Sequence, residues 1–144
     1  MVDESNNEIR RGITRFKHFF FPFSCRFLIQ SINYVSQPAM FFRRPAFEQA
    51  GFLREDLTAA WDYEFLLRLW RHGGAIRVPG PPLAAFRRHE TSISERHFRR
   101  QFSEELEAAA KDAGRWMPQT LIHHLVRRGI VTIYSGMNKR RTRT

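Results

Sequence analysis

The sequence predicts an α/β fold in which a few short strands are flanked by helices, and three patterns support this. Residues 60–72 place large apolar side chains at helical spacing. Residues 75–79 and 83–87 have strand character and are separated by a helix-breaking Pro-Gly-Pro-Pro run. Residues 34–42 form an apolar segment that we expect to be extended and largely buried, because Gln37 precedes a proline and is biased away from helical angles.

The first helix is expected within residues 16–32 and is broken or started near Pro22, because proline fits only a first turn or a kink. A short helix at 45–50 then stops at Gly51, since glycine adopts the left-handed angles common at helix ends.

The helix at 60–72 is the clearest element. Its apolar stripe consists of Phe65, Leu66, Leu69 and Trp70, and two glycines close it. After the two strands, Ser92 and Glu95 have the spacing of a capping box and predict a helix that ends near Gly114. A last helix is expected at 119–128.

These elements divide the chain into four parts. Residues 1–15 form a polar N-terminal segment, 16–114 the main domain, 115–137 a helical extension and 138–144 a basic tail. A chain of 144 residues is the usual size of one domain.

Composition restricts the class of protein. The chain has 24 Lys and Arg against 14 Asp and Glu, a formal charge of +10, which points to an acidic partner or surface. With 42% hydrophobic residues and 14 Phe it is too apolar for a disordered basic tail. The single Cys25 excludes an internal disulfide. The aromatic run at 16–28 contains charges and a proline, and it is too short to span a membrane.

Asp62 is the first candidate for chemistry. It shares a helical face with Phe65, Leu66 and Leu69, so its carboxylate is expected to point inward. Such an acid is either held by backbone N–H groups or faces a cleft and accepts a proton, and spacing alone favours the first. Glu64 lies on another side of the helix, where it can pair with Arg68.

The histidines do not predict an independent metal site. His89 is alone in its loop, without a second ligand at a suitable spacing, and His123 and His124 would diverge on a helix. The sequence also lacks a phosphate-binding glycine loop and a nucleophile motif.

Taken in order, four segments resemble the C-terminal half of a family 2 glycosyltransferase of GT-A fold. They are QPAMFFRR at 37–44, AGF at 50–52, WDYEFLLRL at 61–69, and LAAFRRH at 83–89 followed by Ser92. The resemblance covers roughly residues 1–112 and rests on their succession. It implies a partial GT-A-like α/β fold that lacks the N-terminal nucleotide-binding βαβ half.

The resemblance also implies roles for individual residues. Asp62 matches the general base that deprotonates an acceptor hydroxyl, so that the hydroxyl attacks a nucleotide-activated sugar with inversion. Acceptor contacts are implied for Gln37, Trp61 and Glu64, although Trp61 stands where many relatives carry a second acid. The donor and diphosphate side is implied for three residues: Arg87, His89 and Ser92.

The chain departs from that family in having no D-x-D motif, whose carboxylates would hold the metal on the diphosphate. A divalent Mg²⁺ or Mn²⁺ is therefore expected for a complete enzyme, and the metal ligands in this chain stay unknown. The expected partners are a nucleotide-sugar, a saccharide or lipid-linked acceptor, a separate donor-binding polypeptide and an anionic membrane surface. The expected location is the cytoplasm or the inner face of its membrane.

Two other readings of the sequence stay open. The chain could be a basic, non-catalytic module that docks on an anionic membrane or, with less support, on nucleic acid. It could also be an inactive remnant whose exposed phenylalanines drive self-association.

Overall fold

The computed structural model describes residues 1–89 and 97–141, with the backbone alone for 133–141. Six α-helices lie in these ranges. They are α1 (Arg11–Phe20), α2 (Arg26–Ser31), α3 (Arg44–Ala50), α4 (Trp61–Arg71), α5 (Phe98–Ala113) and α6 (Pro118–Arg141). Two short 3-10 turns, Phe21–Phe23 and Gln37–Ala39, complete the regular structure of the described chain.

The predicted α/β fold is wrong. The described residues are helical and contain no sheet, only isolated bridges that pair Val2 with Glu8 and with Arg87. The segments at 75–79 and 83–87 are irregular, and the side chains of Ile76 and Leu83 are 91% and 66% exposed. A GT-A-like partial fold is therefore not what this chain forms.

The physical reason is that a strand needs a neighbour. A strand makes no backbone hydrogen bonds within itself, so its N–H and C=O groups need partners on neighbouring strands, and a local apolar pattern cannot supply them. Residues 34–42 show the same limit: Tyr34 is buried, but the segment turns at Gln37–Ala39 and ends with Phe41 70% exposed. The prediction of one extended, buried segment there is also wrong.

The helical predictions are largely confirmed. The first helical region is interrupted at Phe21–Phe23, around Pro22, as proline requires. Helix α3 ends at Gly51, whose φ is 80°, and α5 ends at Gly114, whose φ is 105°. Helix α6 is longer than predicted, and the capping box of Ser92 and Glu95 lies outside the described residues.

The core lies where α2, α4 and α5 meet, with α6 packed along α2 and α5. Its buried residues come from these helices and from the segment after α2: Ile29, Ile32, Tyr34, Tyr63, Leu66, Leu67, Ala108 and Ala109. Among the large side chains, Tyr63 also donates its hydroxyl proton to the Ile29 carbonyl oxygen at 2.7 Å, which ties α4 to α2.

A buried carboxylate joins three helices. Asp112 of α5 accepts hydrogen bonds from Gln30 at 2.6 Å and from Arg26 at 3.2 Å, both on α2, and it also pairs with Arg71 at the end of α4. Its side chain is only 3% exposed, so these charge-assisted bonds hold α2 and α4 against α5.

Helix α4 is capped from another helix. Ala60 stands at its N-cap and has no side-chain acceptor, so the exposed N–H groups there need an external partner. Glu104 of α5 supplies it by accepting the N–H groups of Thr58 at 3.3 Å, Ala59 at 2.8 Å and Ala60 at 3.1 Å. Arg100 donates to the same carboxylate at 2.8 Å and balances its charge.

None of the helices in the described ranges has both the length and the apolar character that crossing a membrane requires.

We expect Glu104→Ala to lower the free energy of unfolding by about 2 kcal/mol or more, because it leaves the N–H groups of Thr58, Ala59 and Ala60, at and just before the N-cap of α4, without their acceptor. Chemical denaturation followed by circular dichroism measures this. The matched control is Glu107→Ala on the same helix, whose side chain is 62% exposed and pairs with Lys111 at the surface. Equal losses in the two variants would contradict the capping role.

Candidate functional site

Asp62 lies in the first turn of α4, directly after the terminus that Glu104 caps. Its side chain is partly buried, as the helical spacing predicts, and Oδ1 accepts the Tyr63 N–H at 2.8 Å. Burial raises the pKa of this carboxyl above its ordinary value, while backbone N–H bonds and the charge of Lys17 reduce that rise without cancelling it. The result is a more basic carboxylate than one in water.

Lys17 is the cation whose charge lowers the pKa of Asp62. It projects from α1 and donates from Nζ to Ser36 Oγ at 3.0 Å. Burial lowers the pKa of its ammonium group, and the negative charges of Glu105 and Asp62 act in the opposite direction. Lys17 therefore serves as a counter-ion for two acids that come from two other helices.

Glu105 is the second of these acids and is 3% exposed. Its Oε1 accepts hydrogen bonds from Asn33 Nδ2 and from Gln101 Nε2, both at 3.0 Å. Burial raises the pKa of Glu105 to about 7, the amide donors and Lys17 lower it, and the charge of Asp62 adds to the rise. Near neutral pH this buried group exchanges a proton, which an exposed glutamate would not do.

A cavity of about 100 Å³ opens beside Lys17. Its wall includes Tyr34, Ser36 and Pro38 on one side and Phe86 on another, so it brings the segment around Gln37 together with the one before Arg87. Enclosed ligand pockets are usually several times larger. The cavity is therefore small for a ligand site, and Asp62 is not among the residues that line it.

The residues predicted for the acceptor side differ in their surroundings. Gln37 is exposed at the start of the 3-10 turn, next to the cavity residues. Trp61 begins α4 and is partly buried. The predicted pairing of Glu64 with Arg68 is confirmed, at 3.0 Å from Oε2 to Nη2, but both side chains are more than four-fifths buried. Glu64 is thus occupied by Arg68, which also donates to the Phe52 carbonyl oxygen.

On the predicted donor side, Arg87 donates to Asn6 Oδ1 at 2.6 Å, and His89 is exposed. The N-terminal segment is attached here, because Val2 exchanges backbone hydrogen bonds with Phe86 and Arg88 at 3.0 Å. Ser92 lies outside the described residues. Within the described ranges no three His, Cys, Asp or Glu side chains lie together as a metal site would need.

Sequence reasoning missed Lys17, Glu104 and Glu105. A usable signal existed for Glu105, because Phe98, Phe102, Glu105 and Ala109 follow the spacing of a buried helical stripe. An acid in such a stripe indicates a buried, pKa-shifted group. Lys17 gives a weaker signal, since its partners come from distant parts of the sequence.

We expect Glu105→Gln to become more stabilising relative to the wild type as pH rises. The folded-state pKa of Glu105, about 7, lies above the value of 4.5 for a free glutamate, so its favourable contribution is complete below pH 4.5 and lost as pH rises through 7. Gln keeps an acceptor for Asn33 and Gln101 without that loss.

The measurement is the difference in unfolding free energy between variant and wild type at pH 5 and pH 8, with an expected change on the order of 2 kcal/mol in favour of the variant. Asp62 and Lys17, which face Glu105, are present in both proteins. Glu107→Gln, at an exposed position of α5, should show no such change. A difference that does not vary with pH would rule out the shifted pKa.

No protein-family model matches the chain, and no curated protein or solved structure is significantly similar to it. The glycosyltransferase resemblance therefore rests on the residues that carry it. What can be argued about function comes from those residues and from the geometry around Asp62.

Proposed function

We propose that this chain is the acceptor-side, C-terminal portion of an inverting glycosyltransferase, with Asp62 as its general base. The observation that carries the proposal is the setting of Asp62: a partly buried carboxylate with a raised pKa at the start of a fixed helix, with Lys17 as counter-ion. The proposal rests on residues and their surroundings, since the sheet implied by the resemblance does not form in the described chain.

In the proposed reaction an acceptor hydroxyl oxygen attacks the anomeric carbon of a nucleotide-diphosphate sugar. The bond from that carbon to the diphosphate oxygen breaks, and the nucleotide diphosphate leaves with the bonding electron pair. The hydroxyl proton passes to a carboxylate oxygen of Asp62. A raised pKa makes Asp62 a better proton acceptor, and the charge of Lys17 reduces that rise.

The other proposed contacts are those that the resemblance implies. Gln37 and Trp61 are the proposed acceptor contacts, and Arg87, His89 and Ser92 the proposed donor-side contacts. Glu64 is a weaker candidate, because Arg68 already holds its carboxylate. The cavity beside Lys17 is smaller than a usual ligand pocket, so the proposed donor site needs a second part of the enzyme. A donor-binding polypeptide with its own Mg²⁺ or Mn²⁺ would supply that part, and the proposed location is the cytoplasm.

We expect Asp62→Asn to reduce sugar transfer by about 100-fold or more, because asparagine cannot take the acceptor proton. The assay adds the purified chain to an extract, with membranes, of cells from which its coding sequence has been deleted. Radiolabelled nucleotide-diphosphate sugars and Mg²⁺ or Mn²⁺ are supplied, and label transferred to saccharide or lipid is counted. Asp56→Asn is the matched control, an exposed acid paired with Arg54.

Three results would overturn this proposal. Absence of chain-dependent transfer from every donor would remove the reaction itself. Full transfer by Asp62→Asn would remove the assigned base. Saturable, metal-dependent binding of a nucleotide-sugar by the isolated chain, measured by calorimetry, would show a donor site of its own and contradict an acceptor-side portion.

A further inference from the structure

A ridge of phenylalanine side chains projects from the N-terminal helices. Phe16 and Phe19 of α1 and Phe23 of the following turn, here called the Phe ridge, are 50%, 65% and 62% exposed. No residue of α1 is buried, although the helix separates an apolar from a polar side. Large apolar side chains grouped in this way mark a surface that is covered by something else.

The ridge is continuous and attached to the core. The Phe19 ring lies 5.8 Å from that of Phe23 and 5.5 Å from that of Phe20, and Phe16 lies 5.1 Å from Phe20. Phe20 in turn contacts Tyr34 of the core at 5.7 Å. The exposed rings therefore keep fixed positions relative to the folded protein.

The sequence around the ridge is basic, although three of its arginines pair with acids from outside this stretch: Arg11 with Glu8, Arg26 with Asp112 and Arg44 with Glu48. Residues 9–47 contain no Asp or Glu, and they include seven basic residues: Arg10, Arg11, Arg15, Lys17, Arg26, Arg43 and Arg44. On α1, the 3.6-residue period puts Arg11 and Arg15 on one side, Phe19 beside Arg15, and Phe16 and Phe20 further around the helix. Both arginines are exposed.

We propose that the Phe ridge is a docking site for an anionic lipid surface. Helix α1 would lie in the plane of the surface, with the three rings inserted at the boundary between headgroups and acyl chains. Arg11 and Arg15 would reach the lipid phosphates. Exposed phenylalanines with arginines beside them can bind such an interface, with the rings at the acyl boundary and the arginines at the phosphates.

Two other occupants fit less well. Single-stranded nucleic acid stacks successive bases on open, parallel ring faces, but the planes of Phe19 and Phe23 are inclined by 51° to each other. A symmetric pair of copies would place the same acid-free segment opposite itself, and the repulsion opposes that contact. This inference stands independently of the proposed glycosyl transfer.

The chain carries a natural reporter for the test. Cys25 is its single cysteine, is exposed, and lies two residues after Phe23. An environment-sensitive fluorophore on Cys25 reports insertion by a blue shift. The probes are vesicles of equal parts phosphatidylcholine and phosphatidylglycerol, vesicles of phosphatidylcholine alone, and a mixed-sequence single-stranded oligonucleotide.

We expect the labelled chain to shift and bind with the anionic vesicles and to bind the neutral ones more weakly. The affinity of the double variant F19S/F23S for the anionic vesicles should fall by at least about tenfold, because the variant lacks two of the inserted rings. The variant Phe52→Ser is the matched control, since Phe52 is 84% exposed on another part of the fold and its loss should change nothing. Arg11→Gln with Arg15→Gln should weaken binding and reduce its dependence on salt.

Unchanged vesicle binding by F19S/F23S, or an equal loss in Phe52→Ser, would overturn the proposal. So would a chain that ignores vesicles but binds the oligonucleotide through the ridge. If the chain does not bind vesicles but forms dimers in light scattering, and F19S/F23S abolishes those dimers, the ridge would instead be an interface with a second copy. Far-ultraviolet circular dichroism of each variant verifies that these exposed substitutions leave the helices intact.

Discussion

The contact on which the rest of this structure depends is the carboxylate of Glu104 at the N-terminus of α4. The two residues before α4 are alanines, whose side chains offer no acceptor for the N–H groups there. The helix can therefore begin in the interior only if another element supplies the acceptor. Glu104 does so from α5, 44 positions away in the chain. That bond fixes the start of α4, and with it the position of Asp62. It also sets the rotation of α5, which turns the next residue, Glu105, inward.

Glu104 and Glu105 show how burial and bonding partners together set the pKa of an acid. Both side chains are largely buried, and burial favours the protonated form in each. For Glu104 the backbone N–H groups and Arg100 outweigh that effect, so its pKa is lowered. Glu105 has only two amide donors and a repelling acid nearby, so its pKa is raised to about 7. Adjacent residues thus become a permanent anion and a proton-exchanging group.

Local signals in the sequence predicted what local forces determine. Helix α4 follows from its apolar spacing, and the ends of α3 and α5 follow from Gly51 and Gly114, because each feature acts within one or two turns. The inward position of Asp62 was predictable in the same way. The strands and the α/β class failed, because a short apolar segment becomes a strand only beside another strand. Lys17 and Glu105 were missed because α1 and α5 bring them near Asp62 only through packing between distant parts of the chain.

Most small domains bury their phenylalanines and expose their acidic side chains, and this protein partly does the reverse. Of the 14 phenylalanines, all of which lie in the described ranges, only Phe65 belongs to the buried core, while Asp112, Glu104 and Glu105 are inside. Helices this short cannot surround so many rings, and the interior acids are tolerated because arginines or amides neutralise or bond them. Uncovered rings keep a free-energy cost proportional to their exposed area. The exposed rings fall in different places, with the Phe ridge on α1 and the turn after it, and Phe42 and Phe52 before and after α3. One covering surface is therefore not required to explain both.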